Sequence, residues 1–273
     1  MTADEPGWIP PGVDTKRANV ARVYDYWLGG RHNFLADQDV ARAIAAVEPN
    51  VRVFVWANRA FLGRAVRFLA QSGVRQFLDI GSGIPTEGNV HEIAQQTAPG
   101  SRVVYADIDP VAIAHSRALL AGNADAAIIN GDLREPDKIL ANEDTRRLTD
   151  FSQPAGLLLM LVLHFIPDAE DPWRIVATLR DALAPGSYLV IGHGTDEGNP
   201  TVAQAASKVY NRSVSTQMNL RSHAEIMRFF DGFDLVEPGL VYTPLWRPAS
   251  PADVPSDPGK YGGLVGVGRK PLS

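Results

Sequence analysis

Three acids and a histidine fall at the ends of apolar runs in this sequence: Asp79, Asp107, Asp132 and His164. Asp79 lies within Phe77-Leu78-Asp79-Ile80-Gly81-Ser82-Gly83, where an apolar run breaks into a glycine turn. A turn without Cβ atoms lets backbone N–H groups approach a nucleotide-like ligand. Asp107 follows about two dozen residues later, the spacing at which a carboxylate can offer two oxygens to the paired hydroxyls of a ribose. Asp132, in Asn130-Gly131-Asp132-Leu133, can accept from an adenine amino group, with the Leu133 N–H for a ring nitrogen and Ile108 against the ring face. His164, at the exit of the fourth apolar run, is a general-base candidate. Plainer roles stay open: strand-helix packing for the glycines, loop orientation for Asp79, a helix cap for Asp107, a turn for Asp132 and a backbone-bonded imidazole for His164.

These groups converge only if the apolar runs are neighbouring strands. Gln76–Asp79, Arg102–Tyr105, Ala126–Asn130, Gly156–Leu163 and Tyr188–His193 read as strands, separated by helices around Val90–Thr97, 111–121, a polar stretch, and 172–183. Continuous apolar strands alternating with helices predict a parallel sheet covered on both faces, with ligands outside its carboxyl edge. Upstream, a Pro- and Gly-rich arm over 6–14 precedes helices over about 16–28, 37–47 and 51–69, the first ended by Gly29-Gly30. Downstream, helices over about 198–212 and 222–230 precede strands Asp234–Val241 and Gly262–Gly268, an antiparallel finish. Residues 248–258 read as an exposed loop.

The composition narrows the partners. A chain of 273 residues with 45% hydrophobic side chains can bury one large core, and without cysteine it has no disulfide, thiol nucleophile or thiolate metal site. A net charge of -5 gives no footprint for a nucleic-acid backbone, so no nucleic-acid partner is expected. The N-terminus has no basic, apolar leader, and the run Gly156–Leu163 is too short for a bilayer, so a cytoplasmic protein without a membrane partner is expected. His32, His91, His115 and His223 have no ligand-spaced neighbours, and no metal is expected.

A nicotinamide site would also use the glycine turn and Asp107, but Gly81-Ser82-Gly83-Ile84-Pro85-Thr86 has no third fingerprint glycine, and Asp132 adds a second acid. The ordered set resembles the class I S-adenosylmethionine-dependent methyltransferases over roughly residues 58–270. Phe77–Gly83 resembles their first motif, Tyr105-Ala106-Asp107-Ile108-Asp109 their ribose motif and Gly131-Asp132 their adenine motif. Leu161–Asp168 resembles their fourth-strand exit, and Leu183-Ala184-Pro185-Gly186 the turn before their fifth strand. Ala21–Phe34, reading ARVYDYWLGGRHNF, is similar to the signature of a narrower family of S-adenosyl methyltransferases of unassigned substrate, as are Arg221–Phe230 and Pro238-Gly239-Leu240. Arg31 and His32 replace that family's usual lysine and acid.

The resemblance implies an α/β, Rossmann-like, doubly wound sheet of seven strands, mostly parallel with an antiparallel C-terminal strand. It implies an N-terminal helical arm over 1–57 that forms a lid, and a methyltransferase-like domain over 58–273 with a helical insertion at about 195–220. The implied cofactor is S-adenosylmethionine, bound by Asp79, Gly81, Ser82, Gly83, Asp107, Ile108, Asp132, Leu133 and Leu161, with Arg22, Tyr26, Gly30 and Asn33 from the arm. Arg22 would pair the methionine carboxylate and Tyr26 would close over the sulfonium, while Tyr24, Tyr26 and Trp27 also suit a packed helix face. Methyl transfer is an in-line displacement needing alignment, and a base only for a protonated nucleophile, so Tyr26 and His164 are the catalytic candidates. The expected partner is a small-molecule substrate accepting on oxygen or nitrogen, with self-association into a homo-oligomer left open. A cofactor-binding sensor without transferase activity and, less well supported, an NAD-dependent oxidoreductase are the alternatives.

Overall fold

In the computed structural model, which describes residues 9–10, 13–86, 88–214 and 216–272, the five apolar runs form parallel strands. They are β1 (Gln76–Ile80), β2 (Arg102–Asp107), β3 (Ala126–Asn130), β4 (Gly156–Met160) and β5 (Tyr188–Gly194). The segments β6 (Asp234–Leu235), β7 (Val241–Tyr242) and β8 (Gly263–Arg269) complete the sheet. Its order is β3-β2-β1-β4-β5-β8-β6, with β7 also on β8, and every pairing of β8 is antiparallel. The connections reverse direction between β1 and β4, which opens a crevice at their carboxyl ends.

The sheet has eight strands where seven were expected, because Asp234–Val241 does not run as one. Pro238 has no N–H for a ladder, and Gly239 turns the chain at φ +90 with its N–H on the Val236 carbonyl at 2.8 Å. The arm expected over 6–14 lies largely outside the described residues.

Alternation along the strands builds two apolar layers. Phe77, Val103, Leu158 and Val190 face one cluster, covered by α3 (Val51–Gln71), α4 (Val90–Thr97) and α5 (Pro110–Leu119). Leu78, Val104, Leu157 and Leu189 face the other, which includes Ile139, Leu148, Val176 and Ile226 from α6 (Pro136–Ala141), α7 (Glu143–Leu148), α8 (Pro172–Ala182) and α10 (His223–Met227). Leu157, Leu158 and Leu159 are fully buried; each such side chain contributes roughly 1.5–3 kcal/mol of transfer free energy.

A third apolar cluster joins α1 (Val20–Trp27), α2 (Leu35–Val47), the start of α3 and α9 (Pro200–Ser213). α1 starts at Val20 rather than near Lys16, because the Asn19 side chain accepts the Ala21 N–H at 2.8 Å and caps it there. A bridge between Ala18 and Val214 ties the entry of α1 to the exit of α9. α3 runs unbroken through residues 57 and 58: Val51 and Val55 pack with the arm, whereas Phe61, Ala65 and Leu69 pack on the sheet.

Candidate functional site

At the carboxyl edge of β1 the chain turns through Gly81 and Gly83, both left-handed at φ +75 and +70. The N–H groups of Gly81 and Ser82 both bond the Ala106 carbonyl of β2, at 2.8 and 3.3 Å. A Cβ on Gly81 would stand 2.6 Å from Val162 Cγ2, so only glycine fits there, whereas at Gly83 it would meet nothing within 4 Å. Ser82 Oγ is buried with no partner. Asp107 accepts the Gly83 N–H at 2.7 Å through one oxygen and the Asp109 N–H at 2.8 Å through the other. That fixes the carboxylate and leaves it acceptor capacity for a ligand hydroxyl. Asp109 is a helix cap, accepting from Val111 and Ala112.

Burial dominates the electrostatics of this edge. It pushes Asp79 up to about 7, against Arg59, which favours the ionised form, and with Asp107, which adds repulsion. Burial likewise raises Asp107, opposed by its backbone N–H donors.

These residues open onto one cavity of about 310 Å³. Asp79, Gly81, Ser82, Gly83, Asp107, Ile108, Asp132, Leu133, Leu161 and His164 all line it, which brings together every site residue expected from the sheet. Ile108 is 53% exposed at its wall, an apolar face open to a ligand. Asp132 is less available than its position suggested. Arg134 reaches back to bond both of its oxygens, at 2.9 and 3.0 Å through Nε, and holds it below the usual carboxylate range although burial acts to raise it.

β4 ends at Met160, earlier than the expected Leu163, because Leu161 adopts φ +54 with its N–H on the Gly192 carbonyl at 2.8 Å. A left-handed leucine costs of order 1 kcal/mol and persists where surrounding contacts enforce it. Arg221 anchors the loop that follows. Its buried guanidinium donates to the carbonyls of Leu163 (3.0 Å) and Ile166 (2.7 Å), to Asp168 (2.7 Å) and to His193 Nε2 (3.0 Å). His193 Nδ1 donates to the Gly194 carbonyl at 2.7 Å, which fixes its tautomer, and burial drives the imidazole down to about 3. His164 is held neutral by burial, by His193 and by Arg221, and its Nδ1 has no partner. The backbone-bonded histidine of this pair is therefore His193.

The arm residues divide by helix phase. Val20, Ala21, Tyr24, Trp27 and Leu28 line the cavity; Arg22, Tyr26, Gly30 and Asn33 do not. Tyr26 stands two positions beyond Tyr24, about 200° around a helix, and instead lies under Arg42, whose guanidinium carbon is 6.0 Å from the Tyr26 ring centroid. Arg22 pairs Asp37 at 3.4 Å, donates to the carbonyls of Arg17 and Asp14, and covers Phe34. Asn33 Nδ2 donates to Asp25 at 2.7 Å and to the Gly30 carbonyl, and a Cβ on Gly30 would collide with that Asp25 carboxylate. Arg22 thus ties α1 to the segment before it and to α2, while Gly30 and Asn33 build the loop after α1. In their place the cavity receives Tyr24, Asn58 and Arg59. Asn58 donates to the Tyr24 hydroxyl at 3.1 Å, which donates in turn to the Val55 carbonyl.

The profile of a family described as S-adenosyl methyltransferase matches residues 6–271. A crystal structure from Thermobifida fusca, described provisionally as a methyltransferase, is 44% identical, with 97% of this chain and 100% of that one covered and a TM-score of 0.91. A DUF574-family protein from Streptomyces avermitilis is 39% identical over 94% of this chain and 99% of that one, with a TM-score of 0.91. The N-methyltransferase NodS from Bradyrhizobium japonicum, in complex with S-adenosylhomocysteine, shares the fold at 17% identity, 86% and 97% coverage and a TM-score of 0.51. No curated protein matches the sequence.

Proposed function

The chain belongs to the S-adenosyl methyltransferase family, and we propose that it moves a methyl group to an oxygen or nitrogen of a small-molecule acceptor held between the sheet edge and α1, α3 and α9. The observation that carries this is the left-handed Gly81-Ser82-Gly83 turn beside a buried, backbone-fixed Asp107 on the wall of the cavity. The residues present suit S-adenosylmethionine. Open space over Gly83 and the unpartnered Ser82 hydroxyl leave room and a polar atom for the methionine part, Asp107 for the ribose, and Ile108 with Leu133 for the adenine. When bound, that cofactor supplies a methyl group on a positively charged sulfur.

The chain supplies position and dryness. Gly81–Gly83 and Asp107 set the donor against the sheet edge, while α1 and α9 close the opposite side with Tyr24, Trp27, Ala206 and Tyr210 and exclude water. Arg59, which lines the cavity and acts on Asp79, replaces Arg22 in this reading as the cation for the methionine carboxylate. Among the described residues no helix is long and apolar enough to cross a membrane. The test is incubation of the full chain with methyl-labelled S-adenosylmethionine and a metabolite extract, with mass spectrometry for labelled products. Label in a small molecule supports the reading; tight cofactor binding with no labelled product refutes transfer and favours a sensor.

A further inference from the structure

The chamber facing the sheet edge has a composition of its own. The cavity-lining residues of α1 and its C-cap, of α9 and of 216–220 are Val20, Ala21, Tyr24, Trp27, Leu28, Ala203, Ala206, Tyr210, Thr216, Met218 and Leu220, and none is charged. The charges that do line the cavity are Asp79, Asp107, Asp109, Asp132 and Arg134 at the sheet edge, Arg59 on α3, and Glu48 and Lys260 in loops. Glu48 is already engaged by the Asn50 N–H at 2.9 Å. A charged group pressed against α1 and α9 would lose its hydration and gain no counter-ion there.

The wall is also aromatic in a continuous way. The His164 and Phe165 rings meet at 4.1 Å, and Phe165 stacks on Tyr210 at 5.8 Å with only 22° between planes. Five lining residues carry a buried polar atom with no partner: Ser82 and Thr86 at the glycine turn, and, away from it, His164 through Nδ1, Asn58 through Oδ1 and Tyr210 through its hydroxyl. Buried polar atoms are normally satisfied, so the latter three are places where a ligand's polar group belongs.

We propose that this chamber takes an uncharged aromatic acceptor bearing a ring hydroxyl, its ring along Phe165 and Tyr210 and its hydroxyl toward His164. The proposal rests on the methyltransferase reading and names its substrate class. The ring oxygen forms a bond to the methyl carbon, the carbon–sulfur bond breaks with its electron pair kept by sulfur, and the hydroxyl proton passes to the free ring nitrogen of His164. Asn58 Oδ1, which can only accept, orients a donor on the ligand, and Tyr210 closes the far side.

The test is titration of the full chain, with S-adenosylhomocysteine bound, by four naphthalene probes followed through tryptophan fluorescence, since Trp27 lines the chamber. The probes are 2-naphthol, naphthalene, 2-naphthoate and 2-naphthylmethylammonium at about neutral pH. The expected order puts 2-naphthol about 5-fold tighter than naphthalene, one hydrogen bond's worth, and at least about 10-fold tighter than either ion. His164→Leu and Tyr210→Phe should each narrow the 2-naphthol preference over naphthalene while S-adenosylhomocysteine affinity, measured calorimetrically, stays the same. Equal or tighter binding of either ion, or a 2-naphthol preference unchanged in both variants, overturns the proposal. If S-adenosylhomocysteine itself does not bind, the cofactor reading beneath it falls, and the proposal with it.

Discussion

Replacing Asp79 by Asn should change how stability depends on pH. In the folded chain, burial lifts this carboxyl to about 7 from 3.8, with Asp107 adding repulsion and Arg59 opposing the rise. The folded state therefore holds a proton that the unfolded chain has already released, and that advantage is lost as pH climbs from about 4 to about 7. A displacement of roughly three pH units at about 1.4 kcal/mol per unit sets a ceiling near 4 kcal/mol. Asp79→Asn keeps the shape and cannot ionise, so its stability relative to the parent should rise across that window and level off above about pH 7. Urea unfolding of both chains at half-unit pH steps, with the difference between them plotted, removes any pH-independent cost of the substitution. Parallel curves would refute the reasoning, because they would mean that Asp79 is ionised in the folded chain throughout.

His193 should show the opposite slope: its folded value of about 3 lies below the free value of 6.5, so stability is lost as pH falls below about 6.5, and His193→Gln should flatten that acid limb in the same unfolding assay. The two effects overlap in pH, so the parent's own profile should look flatter than either variant's difference curve. Gly81→Ala forces a Cβ to 2.6 Å from Val162 at φ +75 and should cost about 1–3 kcal/mol together with cofactor affinity, read by thermal melting and calorimetry. Arg221→Met strips donors from the Leu163 and Ile166 carbonyls and from His193; it should cost about 2–4 kcal/mol and speed hydrogen exchange across 161–168.

What could be read from the sequence was what local chemistry decides. The glycine turn and the acids at strand ends are set by residue type at a boundary, and Asp79, Gly81, Gly83 and Asp107 stand together at the cavity as those boundaries implied. What escaped depends on direction. Tyr24 and Tyr26 share one helix, and only its packing on α2 and α3 decides which of them faces inward. Asn58 did carry a signal, a lone amide in the apolar stripe Val55, Phe61, Leu62, as Pro238-Gly239 did for the broken strand. Leu161 carried none, since its left-handed turn bonds the Gly192 carbonyl of β5, a partner that only the assembled sheet supplies. Nor does spacing reveal that Arg134 takes up Asp132.

The account stands or falls on what occupies the crevice beside Gly81–Gly83. Calorimetric titration of the full chain with S-adenosylmethionine, alongside an Asp107→Ala variant of equal melting temperature, measures this directly. One site per chain, weakened at least about 10-fold by the loss of two carboxylate–hydroxyl bonds, is the predicted result. No binding, an affinity indifferent to Asp107, or heat from NAD in place of S-adenosylmethionine would contradict it.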